Sequence, residues 1–210
     1  MELARSTTPT VTLLAAPRAH SIFGLRAHPD LVIAATLFLL GAAPRLAYVA
    51  WAPVFIGGDS LQYFQPVHDL LNGRGFTLSL KRPPAYPTLL LASQVIFGPS
   101  FVPIIVVQHL LGAATVSLTY GIGRMTFGRP AGVLAALLVA AAGPLMRWEH
   151  FLMSEALFTF IHTLAVFLIV LGLRRRAAWP WVAAGLAVGL AMLTRSAGQV
   201  LLLAIPPALL

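Results

Sequence analysis

No cysteine occurs among the 210 residues. Disulfides, thiolate nucleophiles and Cys-ligated metal sites are therefore excluded, while the compartment stays open. Charge is scarce as well. Only 10% of the residues are charged and six are acidic, against roughly a quarter charged in an average soluble domain. A chain with so little charge and 59% hydrophobic residues is solvated by lipid, so it reads as an integral membrane protein. No strict internal repeat is present, although two long polar loops each lead into an apolar helix.

What charge there is leans basic, with a formal net charge of +8. The bases stand singly between apolar runs, apart from Arg174-Arg175-Arg176. That pattern orients a membrane protein and does not track a phosphate backbone, so nucleic acid is not an expected partner. A spanning helix needs about 20 apolar residues. Leu31–Val49, Phe101–Gly123, Ala131–Leu145, Ala156–Leu173 and Trp181–Leu193 are the candidates, and Gln199–Leu210 would begin a sixth. Leu89–Phe97 is too short to cross and follows Pro83, Pro84 and Pro87, so it is expected at the interface. Residues 1–30 read as a cytoplasmic tail. Leu31–Val49 exceeds a signal-peptide core and reads as a retained helix; the small Ala50 and Ala52 leave a cleaved signal as the alternative.

Charge sets the orientation. With Arg5, Arg18 and Arg26 inside, Arg124, Arg129 and the arginine triplet also fall inside, in accord with the positive-inside rule. Outside lie Arg45, Arg74, Lys81, Arg82, Arg147 and Arg195, with Asp59, Asp69, Glu149 and Glu155. Trp51, Trp148, Trp179 and Trp181 fall near helix ends, where indoles favour the headgroup region.

The first outer loop, residues 51–100, carries the unusual chemistry. Gly57-Gly58 permits a sharp turn, and Asp59 or Ser60 can cap a helix. Leu61, Phe64, Val67 or His68, and Leu71 recur at helical spacing, which predicts a segment lying flat on the membrane with an apolar underside. Gly73 and Gly75 end it, and Pro66 either kinks it or marks its first turn. Asp59 is either a plain capping carboxylate or a general base or metal ligand at the water–lipid boundary. The prolines of Lys81-Arg82-Pro83-Pro84-Ala85-Tyr86-Pro87 are expected to hold an extended basic segment, suited to an anionic headgroup or to simple surface anchoring. Glu155 either complements a helix dipole or acts in a site. Arg195 interrupts an apolar tract without a nearby acid in sequence; it either snorkels or meets a lipid phosphate. Glu149 and His150 are two further metal-capable side chains, but adjacent residues point apart, so no obligatory metal or other cofactor is expected.

The order GDS-x-x-Y, N-G-R-G-F, R-P-P-A-Y-P-x-L-L-L and F-G-P-S resembles the first outer loop of GT-C membrane glycosyltransferases. It is most similar to the group of protein O-mannosyltransferases, aminoarabinose transferases and rhizobial lipopolysaccharide sugar transferases. Met153-Ser154-Glu155-Ala156-Leu157-Phe158 and Gly189-Leu190-Ala191-Met192-Leu193-Thr194-Arg195 resemble later motifs of the same group. Ala85, where Leu is usual, and Pro66 depart from the pattern. The resemblance implies an all-α, polytopic bundle of about five to six spans, occupying residues 31–210 and incomplete at its C-terminal end. It implies that Asp59 is the catalytic acid–base residue and Glu155 a second site acid. Tyr63, Lys81, Arg82, Tyr86 and Arg195 would then face the substrate.

The resulting expectation is an enzyme of the bacterial plasma membrane, with a cytoplasmic N-terminus. It would move a sugar from a polyprenyl-phosphate donor to a hydroxyl of a glycan, lipid or protein by direct displacement with inversion. A truncated chain would be inactive alone. Two other classes compete. A polytopic transporter would place polar breaks near mid-membrane in paired repeats, whereas these acids cluster at one side. A non-catalytic subunit that only binds the lipid carrier would keep its effect without Asp59.

Overall fold

The structure, a computed structural model, describes residues 27–77, 82–175 and 177–200. Among these, eight α-helices follow one another: α1 Ala27–Trp51, α2 Ser60–Leu71, α3 Ala85–Phe97, α4 Val102–Phe127, α5 Arg129–Ala140, α6 Gly143–Glu149, α7 Glu155–Arg174 and α8 Trp179–Thr194. A 3-10 turn, Ser196–Gln199, follows α8. The β-geometry among the described residues is a single parallel bridge between Phe55 and Phe151. The fold is an all-α membrane bundle.

Three helices, α1, α4 and α7, are long and apolar enough to cross a bilayer, and α5 with α6 meets that measure only as a bent pair, the form of a broken span or a re-entrant loop. The expected span Ala131–Leu145 is thus interrupted: the chain bends by 55° between α5 and α6. Gly143 and Pro144 open α6 at this break, and a proline there gives up only an N–H that has no helical partner. At 16 residues, α8 falls short of the usual spanning length. The proposed sixth span, Gln199–Leu210, lies almost entirely outside the described residues, as do Lys81 and most of the N-terminal tail.

Helix α4 is the centre of the bundle and packs on α1, α5 and α7, while α8 packs on α7. Small residues permit the close approaches that drive helix association where lipid removes the hydrophobic incentive. A β-carbon on Gly123 would lie 2.7 Å from Gly132 Cα, so α4 and α5 touch backbone to backbone there. Asp30, in the first turn of α1, joins three elements at one end of the bundle. It accepts from Tyr120 Oη at 2.7 Å and pairs with Arg124 at 3.2 Å and Arg129 at 2.9 Å.

At the other end, α2 and α3 pack against each other, and α3 leans on α4 and α8. One local expectation is corrected here. The proline run does not hold an extended segment. Pro84 is already helical, with φ −76° and ψ −19°, and Pro87 sits in the first turn of α3, where its missing N–H costs nothing. Helix α2 also has a face turned into the protein. Its buried residues are Ser60, Tyr63, Pro66 and Val67, whereas Leu61 and Leu71 are exposed. Tyr63 turns inward, where its hydroxyl has a partner, and Leu61 and Leu71 stay on the outer face. Pro66 lies inside the helix, and Gly73 and Gly75, both at positive φ, follow its end.

Candidate active site

The loop after α1 and the loop after α6 come together at this end of the bundle. Phe55 N–H donates to the His150 carbonyl at 3.3 Å, and Leu152 N–H donates to the Phe55 carbonyl at 3.1 Å. Side chains reinforce the junction. Tyr63 Oη lies 2.8 Å from Ser154 Oγ. Gln108, buried on α4, donates to the carbonyls of Glu149 and Phe151 at 2.6 and 2.8 Å and accepts from Tyr86 Oη. Tyr63 and Tyr86 pack edge to face with centroids 5.1 Å apart.

Asp59 is the residue before α2, but its carboxylate makes no capping bond. Ser60 Oγ instead accepts from Gly57 N–H at 3.0 Å, and the Asp59 carboxylate pairs with Arg82 Nη2 at 2.7 Å. Arg82 is thoroughly engaged. Its Nε donates to Gln62 at 3.0 Å, its Nη1 donates to Tyr63 Oη at 3.3 Å, and its guanidinium stands 5.0 Å from the Tyr63 ring centroid. Desolvation pulls its pKa down, but the Asp59 hydrogen bond and the neighbouring Tyr63 outweigh this and leave it above the ordinary arginine value. Arg82 is therefore a permanent cation with a fixed orientation. Asp59 remains half exposed, its side chain 49% accessible against 17% for Arg82. It is open to a substrate from solvent.

Burial, the nearby Glu155 and Tyr63 push the Tyr86 hydroxyl well above its usual pKa. Tyr86 is thus a hydrogen-bond donor and not a base. Glu155 opens α7 and forms an ion pair with Arg195, which follows α8. The acid that Arg195 lacks in its own stretch of sequence comes from 40 residues earlier. Ser154, next to Glu155, is the Tyr63 partner, so Asp59, Arg82, Tyr63 and Ser154 form a connected chain that ends beside Glu155. Of the expected site residues, Asp59, Tyr63, Arg82, Tyr86, Glu155 and Arg195 lie at this end of the bundle. Lys81 lies outside the described residues.

Below this layer is a buried polar group that joins Glu149 and His150, expected only as metal-capable side chains, to Arg45 and His109. Arg45 on α1 is fully buried and grips Glu149 in a two-point contact, Nε to Oε2 at 2.8 Å and Nη2 to Oε1 at 3.1 Å. His109 Nδ1 is 3.2 Å from Glu149 Oε2, and its Nε2 is 3.0 Å from His150 Nδ1. His150 Nε2 reaches the Pro53 carbonyl at 3.0 Å. A carbonyl only accepts, so His150 Nε2 carries the proton and its Nδ1 accepts from His109. Arg45, Glu149 and Glu155 line a cavity of about 150 Å³ between α1, α4, α6 and α7, with Thr115, Trp148 and Thr159. The available signal was a polar side chain inside a predicted span: Arg45, Gln108 and His109 all interrupt apolar runs, and such residues are expected to be paired.

Metal-ligating capacity is limited, since no group of three or more His, Asp or Glu side chains converges on one point among the described residues. Comparison with protein families now decides the kind of protein. Residues 81–210 match the family described as dolichyl-phosphate-mannose-protein mannosyltransferase. The chain belongs to that family. It is a membrane glycosyltransferase family of GT-C type, and the helical bundle described above agrees with that architecture. Searches of curated proteins and of solved structures gave no match. In this mannosyltransferase-family chain, Arg82, Tyr86, Glu149, Glu155 and Arg195 fall within the matched stretch, and Asp59 and Tyr63 precede it.

Proposed function

We propose that this protein transfers a sugar from a polyprenyl-phosphate-linked donor to a hydroxyl of a glycan, lipid or protein on the outer side of the bacterial plasma membrane. The N-terminus is then cytoplasmic, and residues 31–210 form the transmembrane catalytic domain. The observation that carries the reading is the half-exposed Asp59 carboxylate held at 2.7 Å by an Arg82 that is itself fixed by Gln62 and Tyr63. An acid so placed can take the proton of an attacking hydroxyl, because it is oriented by a cation yet open to solvent.

The steps balance simply. The acceptor oxygen bonds to the anomeric carbon as the bond from that carbon to the phosphate oxygen breaks, with inversion. The hydroxyl proton passes to Asp59, and the electron pair leaves with the lipid phosphate. Arg82 faces the developing charge, and Lys81 is assigned to the same anion. Glu155, fixed by Arg195, is assigned to orienting the acceptor. Tyr63 and Tyr86 shape the wall, their rings packed together and their hydroxyls committed to Ser154 and Gln108.

The test uses the full chain in vesicles with a radiolabelled polyprenyl-phosphate sugar and acceptor lipid or glycan extracts. Label appearing in a product is the expected result. Specific donor binding without product would favour the non-catalytic lipid-carrier subunit, and movement of an unaltered solute across the vesicle would favour the transporter.

A further inference from the structure

The sequence holds six acidic residues, of which five are described, and each of the five is already engaged by an arginine. Asp30 is taken by Arg124 and Arg129, Asp59 by Arg82, Asp69 by Arg74, Glu149 by Arg45 and Glu155 by Arg195. None of these carboxylates is left for Arg147. Arg147 is an exposed cation on α6, at the same end of the bundle as Asp59. A guanidinium at headgroup depth attracts anionic lipid groups, and among the described residues no carboxylate competes for this one.

The surroundings say what kind of anion fits. Arg147 lines a groove of about 350 Å³ with Gly143, Pro144, Trp148 and Phe151. That is the lower end of the ligand-pocket range of roughly 300–1,000 Å³. Trp148 and Phe151 lie with ring centroids 5.4 Å apart and form an aromatic wall of the kind that sits at headgroup depth. A single cation beside aromatic carbon suits a ligand with an anionic head and an apolar tail. Guanidinium binds phosphate oxygens through two parallel N–H donors, which a lipid phosphate satisfies.

The groove also leads toward the reacting loop. Phe151 packs on Phe55 at 5.3 Å, and a β-carbon at Gly57 would stand 3.6 Å from the Phe151 ring. Asp59 is two residues further on. Arg82 and Arg195 each give part of their guanidinium to a carboxylate, so a further cation on the same phosphate adds charge beyond what Arg82 supplies.

We infer that the Arg147–Trp148–Phe151 groove holds the phosphate of the polyprenyl carrier and delivers its sugar-bearing end toward Asp59. This rests on the donor class proposed above. The break between α5 and α6 has a purpose on this view: it turns α6 so that Arg147 and Trp148 lie along one groove rather than continuing the span.

The experiment uses the full chain in phosphatidylcholine nanodiscs with a photoreactive polyprenyl monophosphate as the probe, titrated to obtain an apparent affinity. Arg147→Gln should lower that affinity about tenfold or more, the loss expected for a charged hydrogen-bonding group. Arg147→Lys should fall between, and Arg74→Gln, an exposed arginine outside the groove, should bind as the parent does. The label should map to the peptide containing residues 143–151. Phosphatidylglycerol and inorganic phosphate should compete poorly.

Unchanged affinity in Arg147→Gln, with an unchanged melting temperature, overturns the inference. If Arg82→Gln then loses binding, the donor reading survives and only the groove assignment fails. Equal competition by phosphatidylglycerol makes this an ordinary anionic-lipid contact and also overturns it. No labelling of the parent protein refutes the donor class itself.

Discussion

Replacing Arg45 by methionine isolates the buried ion pair between α1 and α6. The change keeps most of the apolar stem and deletes the guanidinium, which makes two bonds to Glu149 and further contacts to the carbonyls of Gly41 at 3.1 Å and Ala140 at 3.4 Å. Glu149 then remains as a buried carboxylate with His109 as its nearest cation-capable neighbour. Removing one member of a buried ion pair typically costs about 3–5 kcal/mol, far more than the ~0.6 kcal/mol average of a polar contact between membrane helices. The larger figure applies because Glu149, its side chain only 7% exposed, loses the one fixed cation that grips both of its oxygens. With about 2–4 °C per kcal/mol for a chain of this size, melting should fall by roughly 6–20 °C. The assay is thermal unfolding in detergent, followed by the loss of a monodisperse chromatographic peak. Arg45→Met combined with Glu149→Gln should recover about half of the loss or more, since the stranded charge is gone. A drop of under about 2 °C for the single change, or full additivity in the double, would refute the reasoning.

Other consequences can be checked in the same preparation. Gly112→Ala places a β-carbon 2.2 Å from Glu149 Oε1, so the carboxylate must move, and a loss of about 1–3 kcal/mol in stability is expected by unfolding. Tyr63→Phe removes the oxygen shared by Arg82 and Ser154 while keeping the ring pair with Tyr86. Sugar transfer should fall about tenfold with melting lowered by only a few degrees, and unaltered turnover would contradict the role of that hydroxyl. Burial and the neighbouring His109 hold the His150 imidazole below its ordinary value of 6.5, against the opposing bond to Pro53. Below about pH 6.5 the unfolded chain therefore binds more protons than the folded one, and stability is lost as pH falls. Melting should drop between about pH 7.5 and 5.5, and His150→Asn should flatten that dependence.

Much of the bundle was legible because a bilayer leaves few choices. Long apolar runs must be helical there, and α1, α4 and α7 correspond to Leu31–Val49, Phe101–Gly123 and Ala156–Leu173. Glu155 in the first turn of α7 agrees with the helix dipole's preference for an acid there, and the glycines at positive φ after α2 follow from local chain-ending chemistry. What stayed hidden depends on distance along the chain. Arg45 and Glu149 are separated by 104 residues, and Tyr63 and Ser154 by 91, so no local pattern pairs them. The side of α2 that faces the protein was hidden for the same reason, since the hydrogen bond of Tyr63 to Ser154 decides which side turns inward. The proline run reads as extended by its own stereochemistry, yet a helix accepts proline throughout its first turn.

The central claim is that Asp59 accepts the acceptor proton in a glycosyl transfer. Its most direct test compares the parent chain with Asp59→Asn in proteoliposomes holding a radiolabelled polyprenyl-phosphate sugar and an acceptor that the parent glycosylates. Because Asp59 is half exposed, the variant should fold and melt close to the parent, and donor labelling should persist. Product formation should fall by about 10²–10⁴-fold, the range carried by a positioned general base. Transfer by Asp59→Asn at the parental rate would contradict the account.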